Sequence, residues 1–500
     1  MKKVKNIIAL GLVALMLAAC GGGNGGSDDR QQNGERPVVT DDYDIIDEFM
    51  PSPYDFEETL MDLNGRVITL ISVTESLNHR GRNYWDYDFY DIDRTSNETL
   101  RIREILREIE VDYNMEFEIF HHIATGLTQL LLNNRIAGEA PFDILESKIT
   151  DFTVNALWTQ GLVIPVSHPS ISDIIQPQEN PWRSSEFTTF GEHQWAVSFK
   201  PFNSTDVLED VLIFNETLRQ RFGLPNFYEM VRERTWTWEN FDQILTTIVS
   251  ESNGTVFPII YTHEMRVTPM FVGSNNGRIV ENTPTGLRFI GDINEPTLAA
   301  MHFIQTFAER GMFHPSSPRS RHLPYAHIGT AMANGEAFFA FSEYAMIRNL
   351  TRNNIGYENE YNFGIVPAPL GPNGTEFNTI IHSDMLYHIL ADIERPEEAA
   401  AVLVAMANRT GQITERLIEH ELRHSLQTYD SAEMLGIMLN NRVIDVSRVH
   451  GLARSAGGYG IIAAGLRNIR LEVTPVVAMQ HIANQMQAWY DELNAIVFIE

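Results

Sequence analysis

The segment His420-Glu421-x-x-His424 has residue types and a spacing that suit metal chemistry. Two His residues one helical turn apart can bind Zn²⁺, and the Glu beside the first can serve as the general base of a metalloprotease. No third ligand is obvious, the nearest candidates being Glu433 and Glu472, and charged residues flank the segment. The sequence therefore favours a solvated, charged helix that holds no metal, with a membrane-anchored zinc metalloprotease as the alternative.

The many carboxylates raise a second catalytic class, the glycan-active enzymes. Glycosidases need two carboxylates placed across the scissile bond. The 66 Asp and Glu residues guarantee candidate pairs without identifying one. The sequence contains no nucleophile elbow, no Gly-rich phosphate loop and no Cys-based metal spacing. We therefore expect a protein that is not an enzyme and has no cofactor, and keep a glycan-active enzyme as an alternative.

The N-terminus has the features of an export signal. Three lysines within the first five residues precede an apolar run over 7–18, which is too short for a permanent membrane span. The run ends in LAAC, which looks like a bacterial lipobox with Cys20 as the lipidated residue. Two acyl chains would anchor the protein stably. The sequence predicts a signal peptide over 1–19, a lipidated Cys20 with a flexible tether over 20–65, and a place on the extracytoplasmic face of the cell membrane; a cleaved, unlipidated signal is the alternative.

Composition narrows the classes of partner. The formal net charge is −29, which argues against nucleic acid, against electrostatic docking on anionic lipid and against a multiply anionic ligand. The only cysteine is the one in the lipobox, so the folded part has no internal disulfide and needs a large apolar core. A chain of 500 residues with 43% hydrophobic residues exceeds one comfortable core, so we expect two lobes.

The order of predicted elements indicates an α/β fold. The apolar run from Arg66 to Val73 predicts a strand buried on both faces. It is followed by a helix beginning near Asn97, a strand over 115–120, a helix over 125–136 and a strand over 141–145. Such alternation is typical of a parallel, doubly wound sheet. Further helices are predicted after Thr237, before Gly311, and from Pro396 and Pro475.

Short segments rich in Gly, Pro and Trp follow one another along the chain. They are PFDIL at 141–145, GLVIP at 161–165, HQWAVS at 193–198, IFN at 213–215 with FGLP at 222–225, TWTW at 235–238, GEA at 335–337 and GIVPAPLG at 364–371. In this order they resemble the extracellular solute-binding proteins of family 1, the maltose-binding-protein-like lipoprotein components of ABC sugar importers. The resemblance covers about 66–500. It departs at 199–201, where FKP replaces the usual Pro, and is loose over 415–454.

The resemblance implies a two-lobed, periplasmic-binding-protein-like fold with doubly wound sheets and a ligand cleft between the lobes. Its chain path implies an N-terminal lobe over 66–201 plus 366–425 and a C-terminal lobe over 202–365 plus 426–500. It also implies a monomer that passes a small solute, here a mono- or oligosaccharide, to the permease subunits of an ABC transporter. Closure of the cleft would be driven by contacts that the ligand makes only in the closed form.

In such a fold the ligand lies against the carboxyl ends of the strands, so residues just after predicted strand ends are the candidates for ligand binding. They are Glu75, Tyr84, Trp85, Glu146, Ser147, Trp195, Glu343, Tyr344, His382 and Asp384. Aromatic rings stack on the apolar face of a pyranose, and carboxylates and amides pair with its hydroxyls. The loop 83–88, NYWDYD, combines both kinds of residue, although an exposed acidic surface loop explains it equally well.

The resemblance also bears on the roles of four residues. Tyr344 lies where the family tends to place a stacking aromatic. Trp236 and Trp238 match an element that is mostly structural, so we expect both in the core. Asp143 either reaches the cleft or is a structural capping carboxylate.

Overall fold

The structure is a computed structural model. It describes residues 58–74, 97–123, 126–148, 157–175, 188–190, 193–198, 210–283, 285–317, 323–344, 346–347, 350, 362–381, 385–409, 426, 428–444 and 473–497. Cys20, Glu75, Tyr84, Trp85, His382, Asp384 and the segment 420–424 lie outside the described residues, and their assignments stay predictions.

The described strands are β1 (Arg66–Thr74), β2 (Met115–Ile123), β3 (Ile144–Lys148), β4 (Val163–Ile164), β5 (Thr189–Phe190), β6 (His193–Gln194), β7 (Val197–Ser198), β8 (Asp210–Asn215), β9 (Phe257–Tyr261), β10 (Val280–Thr283), β11 (Gly286–Phe289), β12 (Ala337–Glu343), β13 (Phe363–Val366), β14 (Thr379–Ile381), β15 (Met385–Leu390) and β16 (Arg442–Ile444). The described helices are α1 (Asn97–Asp112), α2 (Leu127–Ala137), α3 (Glu216–Arg221), α4 (Phe227–Arg232), α5 (Trp238–Glu251), α6 (Glu264–Ser274), α7 (Glu295–Glu309), α8 (Tyr325–Ala333), α9 (396–409), α10 (Tyr429–Asn440) and α11 (Pro475–Val497). Within these described ranges, none of the helices is long and apolar enough to span a membrane.

The first sheet contains the strands predicted from the N-terminal half. Its order is β2-β1-β3-β15-β4, and β7 also pairs with β15. Strand β1 is parallel to both neighbours, with Leu70 opposite Ile119 on β2 and Ile144 on β3. The predicted alternation of strands and helices is therefore confirmed for β1, α1, β2, α2 and β3. Strand β15 runs antiparallel to β3, so the sheet is mixed rather than purely parallel.

The second sheet has the order β13-β8-β12-β9. Strands β9 and β12 are parallel, and β8 is antiparallel to both β12 and β13. Strand β8 is completely buried, because residues 211–214 are all apolar and carry no polar alternation. As a result, the carboxyl ends of β9, β12 and β13 lie at the same edge as Asp210, the first residue of β8.

An aromatic cluster fills the core beside the second sheet. Trp236 is completely buried, meets the ring of Phe241 edge-on at a centroid distance of 5.6 Å, and donates a hydrogen bond from Nε1 to the carbonyl oxygen of Pro367 at 2.8 Å. Trp238 stacks on Phe303 with a centroid distance of 4.6 Å. Buried indole rings add large apolar area when their N–H finds an acceptor. The prediction that both tryptophans lie in the core is confirmed.

Helix ends follow the predicted caps. The side chain of Thr237 accepts a hydrogen bond from the Asn240 N–H at 3.4 Å and so begins α5. Gly311 follows the end of α7 with φ of +67°, a left-handed conformation that favours glycine. Helices α9 and α11 begin at Pro396 and Pro475, as the sequence predicts.

The chain passes between the two sheets more than once. It leaves the first sheet after β7 and enters the second at β8, then returns between β13 and β15 by way of β14. Strand β14 pairs in parallel with β16, which follows α10 on the second sheet. Gly273 of α6 lies against β14 so closely that a Cβ there would approach Ile380 Cδ1 to 2.6 Å. This crossing path is the kind that the family resemblance implies, and the exact lobe boundaries stay predictions.

The first described residues are tied to the amino edge of the first sheet. Arg409 at the end of α9 donates from Nη2 to Glu58 Oε2 at 2.9 Å and from Nη1 to Asp112 Oδ2 at 2.7 Å. Asp112 ends α1, which leads into the start of β2. In addition, the Leu63 N–H donates to the carbonyl oxygen of Tyr113 at 2.9 Å. These contacts hold the segment from Glu58 to Leu63 at the edge where the parallel strands begin.

Candidate functional site

A row of polar side chains crosses the first sheet near its carboxyl edge, where β1, β2 and β3 end. His121, Ser72 and Glu146 are register neighbours on β2, β1 and β3, and Tyr387 on β15 faces Glu146. Neighbours in register project to the same face of a sheet. Ser72, Glu146 and Tyr387 are buried and His121 is half-buried. The row therefore reaches from the core toward the edge strand β2.

Glu146 and Ser147 do not follow a strand, as the sequence analysis expected, but lie inside β3, which extends to Lys148. The strand continues because both polar side chains find partners on β15. Tyr387 donates from its hydroxyl to Glu146 Oε1 at 2.9 Å, and Ser147 Oγ lies 3.3 Å from His388 Nε2. Buried polar groups need such partners. Glu146 and Ser147 are at most 1% exposed, so in this structure they stabilise the end of β3 from within the core.

The protonation of His388 follows from its two contacts. Its Nδ1 lies 3.2 Å from the carbonyl oxygen of Trp195, which can only accept, so Nδ1 carries the proton. Nε2 therefore accepts from the Ser147 hydroxyl. Burial lowers the pKa of His388 to about 4, and the contact with the Trp195 carbonyl opposes this only in part. The imidazole is neutral at pH 7. The Ser–His geometry is that of a nucleophile and its base, yet both side chains are completely buried and out of reach of a substrate.

Trp195 lies between β6 and β7, so the segment HQWAVS forms two short strands with a break at the tryptophan. Its ring stacks on Trp158 at a centroid distance of 6.4 Å and meets His193 edge-on at 6.0 Å. The indole N–H of Trp195 is buried and has no acceptor among the described residues. The ring itself is half-buried, which keeps it a candidate for contact with a ligand.

On the second sheet, the carboxyl edge carries a cluster of three charged residues that we call the edge trio. Arg266, in the first turn of α6, donates from Nη1 to Asp210 Oδ1 at 2.7 Å and from Nη2 to Glu343 Oε1 at 2.6 Å. Asp210 and Glu343 are register partners on β8 and β12. The sequence analysis expected Glu343 to follow a strand, but it is the last residue of β12.

Tyr344 follows directly after β12, as predicted, but its side chain is completely buried in the core of the second sheet. Tyr261 at the end of β9 and the next residue, Thr262, are buried in the same way. A ring that is 0% exposed contacts no ligand in this structure. Stacking of Tyr344 on a ligand therefore stays a prediction that requires a different conformation of this edge.

Asp143 has a structural role. Its Oδ2 accepts a hydrogen bond from the Thr69 N–H at 2.9 Å, and its Oδ1 pairs with Arg66, which also pairs with Glu398 of α9. These residues lie at the amino edge of the first sheet, opposite the carboxyl edge. Burial raises the pKa of Asp143, and the Thr69 N–H and Arg66 offset part of this rise. Of the two alternatives, the structure supports the structural carboxylate.

Three polar residues at the carboxyl edges were missed by the sequence analysis: His121, Arg266 and Tyr387. His121 could have been predicted from the sequence, because it directly follows the predicted strand over 115–120, and the carboxyl end of that strand lies beside the carboxyl end of β1. Arg266 follows β9, a strand that was not predicted. Tyr387 comes from an antiparallel strand whose place in the sheet is not visible in the sequence. Among the described residues, no group of three or more His, Cys, Asp or Glu side chains is arranged to hold a metal ion.

Solved structures that match the fold of this chain include bacterial sugar-binding proteins. The sugar-binding protein MalE from Xanthomonas citri has a TM-score of 0.59 at 14% identity, covering 87% of this chain and 100% of its own. The chain has the two-lobed fold of these proteins. The lacto-N-biose-binding protein of an ABC transporter from Bifidobacterium longum matches with a TM-score of 0.55 at 10% identity, covering 86% of this chain and 98% of its own.

A third match is the GacH receptor of Streptomyces glaucescens, solved free and with acarbose. It has a TM-score of 0.52 at 10% identity and covers 86% of this chain and 99% of its own. No protein-family model matches the chain, and no curated protein matches it by sequence. Ligands of open α/β sheets bind at the carboxyl ends of the strands, so the carboxyl edges of the two sheets are the candidate places for a ligand.

Proposed function

We propose that this protein is an extracytoplasmic lipoprotein that binds a carbohydrate between its two lobes and delivers it to the permease of an ABC transporter. The observation that carries the proposal is the match of nearly the whole folded chain to sugar-binding proteins. The absence of a recognisable catalytic motif outside 420–424 is consistent with binding rather than catalysis.

The chemistry of the two carboxyl edges suits an uncharged, hydroxyl-rich solute. The half-buried rings of Trp195 and His121 offer surfaces for the apolar face of a pyranose. The carboxyl edge of the second sheet carries the guanidinium of Arg266 and the carboxylate of Glu343, and such groups are the usual partners of sugar hydroxyls. To these we add Glu75, Tyr84, Trp85, His382 and Asp384 from the sequence, together with Glu146, Ser147, Glu343 and Tyr344, as candidates for the ligand-binding set.

Ligand binding is tested by calorimetry on the mature protein with a panel of malto-oligosaccharides, lacto-N-biose, acarbose, amino acids, peptides and metal chelates. We expect saturable binding of a neutral mono- or oligosaccharide and a smaller radius of gyration with the ligand bound, because the ligand favours the closed form. Trp85→Ala should raise Kd by about tenfold or more, since one stacking contact contributes about 1–3 kcal/mol.

The unfolding midpoint of the free Trp85→Ala protein should stay within a few degrees of the wild type. Tyr429→Ala is the control, because Tyr429 is a half-exposed aromatic at the start of α10, which packs on the second sheet away from its carboxyl edge. Tight binding of a peptide, amino acid or chelate without any saccharide at millimolar concentration would refute the carbohydrate assignment. The two-lobed fold would be unaffected by that result.

Anchoring is tested by Cys20→Ser. Without the thiol no diacylglyceryl group can be attached, so the variant should appear in the medium or remain unprocessed, whereas the wild type should sediment with membranes. Cell fractionation with mass spectrometry of the N-terminus measures both outcomes. A Cys20→Ser protein that is cleaved normally and stays fully membrane-bound would contradict lipid anchoring.

A further inference from the structure

The edge trio has an arrangement that bears on which sugars can bind. Arg266 uses one terminal nitrogen for Asp210 and the other for Glu343. The side chain of Asp210 is 0% exposed, whereas those of Arg266 and Glu343 are 17% and 14% exposed. Arg266 is thus the most exposed side chain of the three, whereas Oε2 of Glu343 is buried and its Oε1 is bonded to Arg266.

The contacts of Arg266 with Asp210 and with Glu343 have different consequences for ligand binding. Asp210 is buried and fixes the position of Arg266 from the protein interior. Glu343 occupies the second terminal nitrogen of Arg266, and a guanidinium fork is the protein group best suited to bind a carboxylate with two parallel hydrogen bonds. The carboxylate of Glu343, next to the guanidinium, repels an anion at close range.

We propose that Glu343 determines specificity at this edge by occupying the arm of Arg266 that would otherwise bind an acidic sugar. This inference rests on the proposed carbohydrate function and deepens it: the trio admits neutral saccharides and rejects uronates. Glu343 acts as an internal substitute for the ligand carboxylate. A neutral hydroxyl can still accept a hydrogen bond from Arg266, so the guanidinium remains a polar contact for an uncharged ring.

Glu343→Gln tests this role because it keeps the shape of the side chain and removes its charge. The chain also offers a matched control. Arg232 of α4 pairs with Asp430 and Glu433 of α10, and also with Glu229 of its own helix, in a cluster that packs α10 on α4. Glu433→Gln therefore makes the same charge change outside the carboxyl edge.

Each protein is titrated by calorimetry with two probes. One is the neutral oligosaccharide that the wild type binds best in the panel above, and the other is the same oligosaccharide with one C6 hydroxymethyl group oxidised to a carboxylate. The wild type and Glu433→Gln should prefer the neutral probe by at least about tenfold. Glu343→Gln should bind the acidic probe about tenfold or more tightly than the wild type does, and added salt should weaken this gain.

A second variant assigns the gain to Arg266. The double variant Glu343→Gln/Arg266→Gln should lose the gain for the acidic probe, because the guanidinium that binds the carboxylate is gone. If the wild type binds the neutral probe but Glu343→Gln gains no more for the acidic probe than Glu433→Gln does, the role of Glu343 is refuted and the carbohydrate function stands. If no saccharide binds to any of the proteins, the carbohydrate function is refuted and this inference falls with it.

Discussion

Tyr344→Ala is expected to lower the free energy of unfolding by about 3–5 kcal/mol, the usual cost of truncating a large buried aromatic side chain to Ala. The side chain is completely buried in the core of the second sheet, directly after β12. Truncation leaves a cavity that close-packed neighbours fill only in part. Urea denaturation followed by circular dichroism measures the change, and Tyr344→Phe, which keeps the ring, should lie within about 1.5 kcal/mol of the wild type.

This result would separate a core residue from a ligand-stacking residue. A stacking aromatic, when removed, weakens ligand binding more than it weakens the fold. If Tyr344→Ala proved as stable as the wild type while Kd for the saccharide rose tenfold, Tyr344 would face the ligand in solution, and the packing of this edge would differ from the structure described above.

The protein should lose stability as pH falls from about 6.5 to about 4, and His388 should contribute about 3 kcal/mol to this loss. Burial lowers the pKa of His388 to about 4 in the folded state, whereas an unfolded His has a pKa of about 6.5. Between these values the unfolded chain binds a proton that the folded chain does not. Stability therefore rises with pH across this window and is unaffected by His388 above about pH 7.

The measurement compares urea unfolding free energies at several pH values between 4.5 and 7.5 for the wild type and His388→Gln. Glutamine can still donate to the Trp195 carbonyl and accept from Ser147, but it does not titrate, so the variant should show a flatter pH dependence. The quantity compared is the slope of the unfolding free energy against pH in the wild type and in the variant, because other groups titrate equally in both proteins. Equal slopes in the wild type and the variant would exclude His388 as the source.

The sequence predicted the elements whose signal is local. Residues 66–73 were predicted to form a buried strand; they form most of β1, and 68–73 are buried, whereas Val67 is 44% exposed. The capping roles of Thr237 and Gly311 depend only on adjacent residues, and both are as predicted. The overall path of the chain between two sheets was predicted because several short motifs agree in order.

The details of the site depend on partners far away in the chain. Glu146 and Ser147 look like the start of a loop in the sequence, because two polar residues followed by Lys148 end an apolar run. Their partners on β15 are 241 residues away in the sequence. Because the local sequence does not show these partners, it does not indicate that the polar residues are buried within a strand. Glu343 is similar, since its partner Arg266 lies 77 residues earlier on a helix whose preceding strand was not predicted. The local sequence pattern thus predicted that these carboxylates lie near the carboxyl edges. It did not predict their orientation or their partners.

The pairing of Arg409 with Glu58 and Asp112 joins three parts of the chain that are far apart in sequence: the first described residues, the end of α1 and the end of α9. The side chains of Arg409 and Glu58 are only 18% and 23% exposed. Loss of the guanidinium would leave both carboxylates without this cation and would loosen all three segments at once.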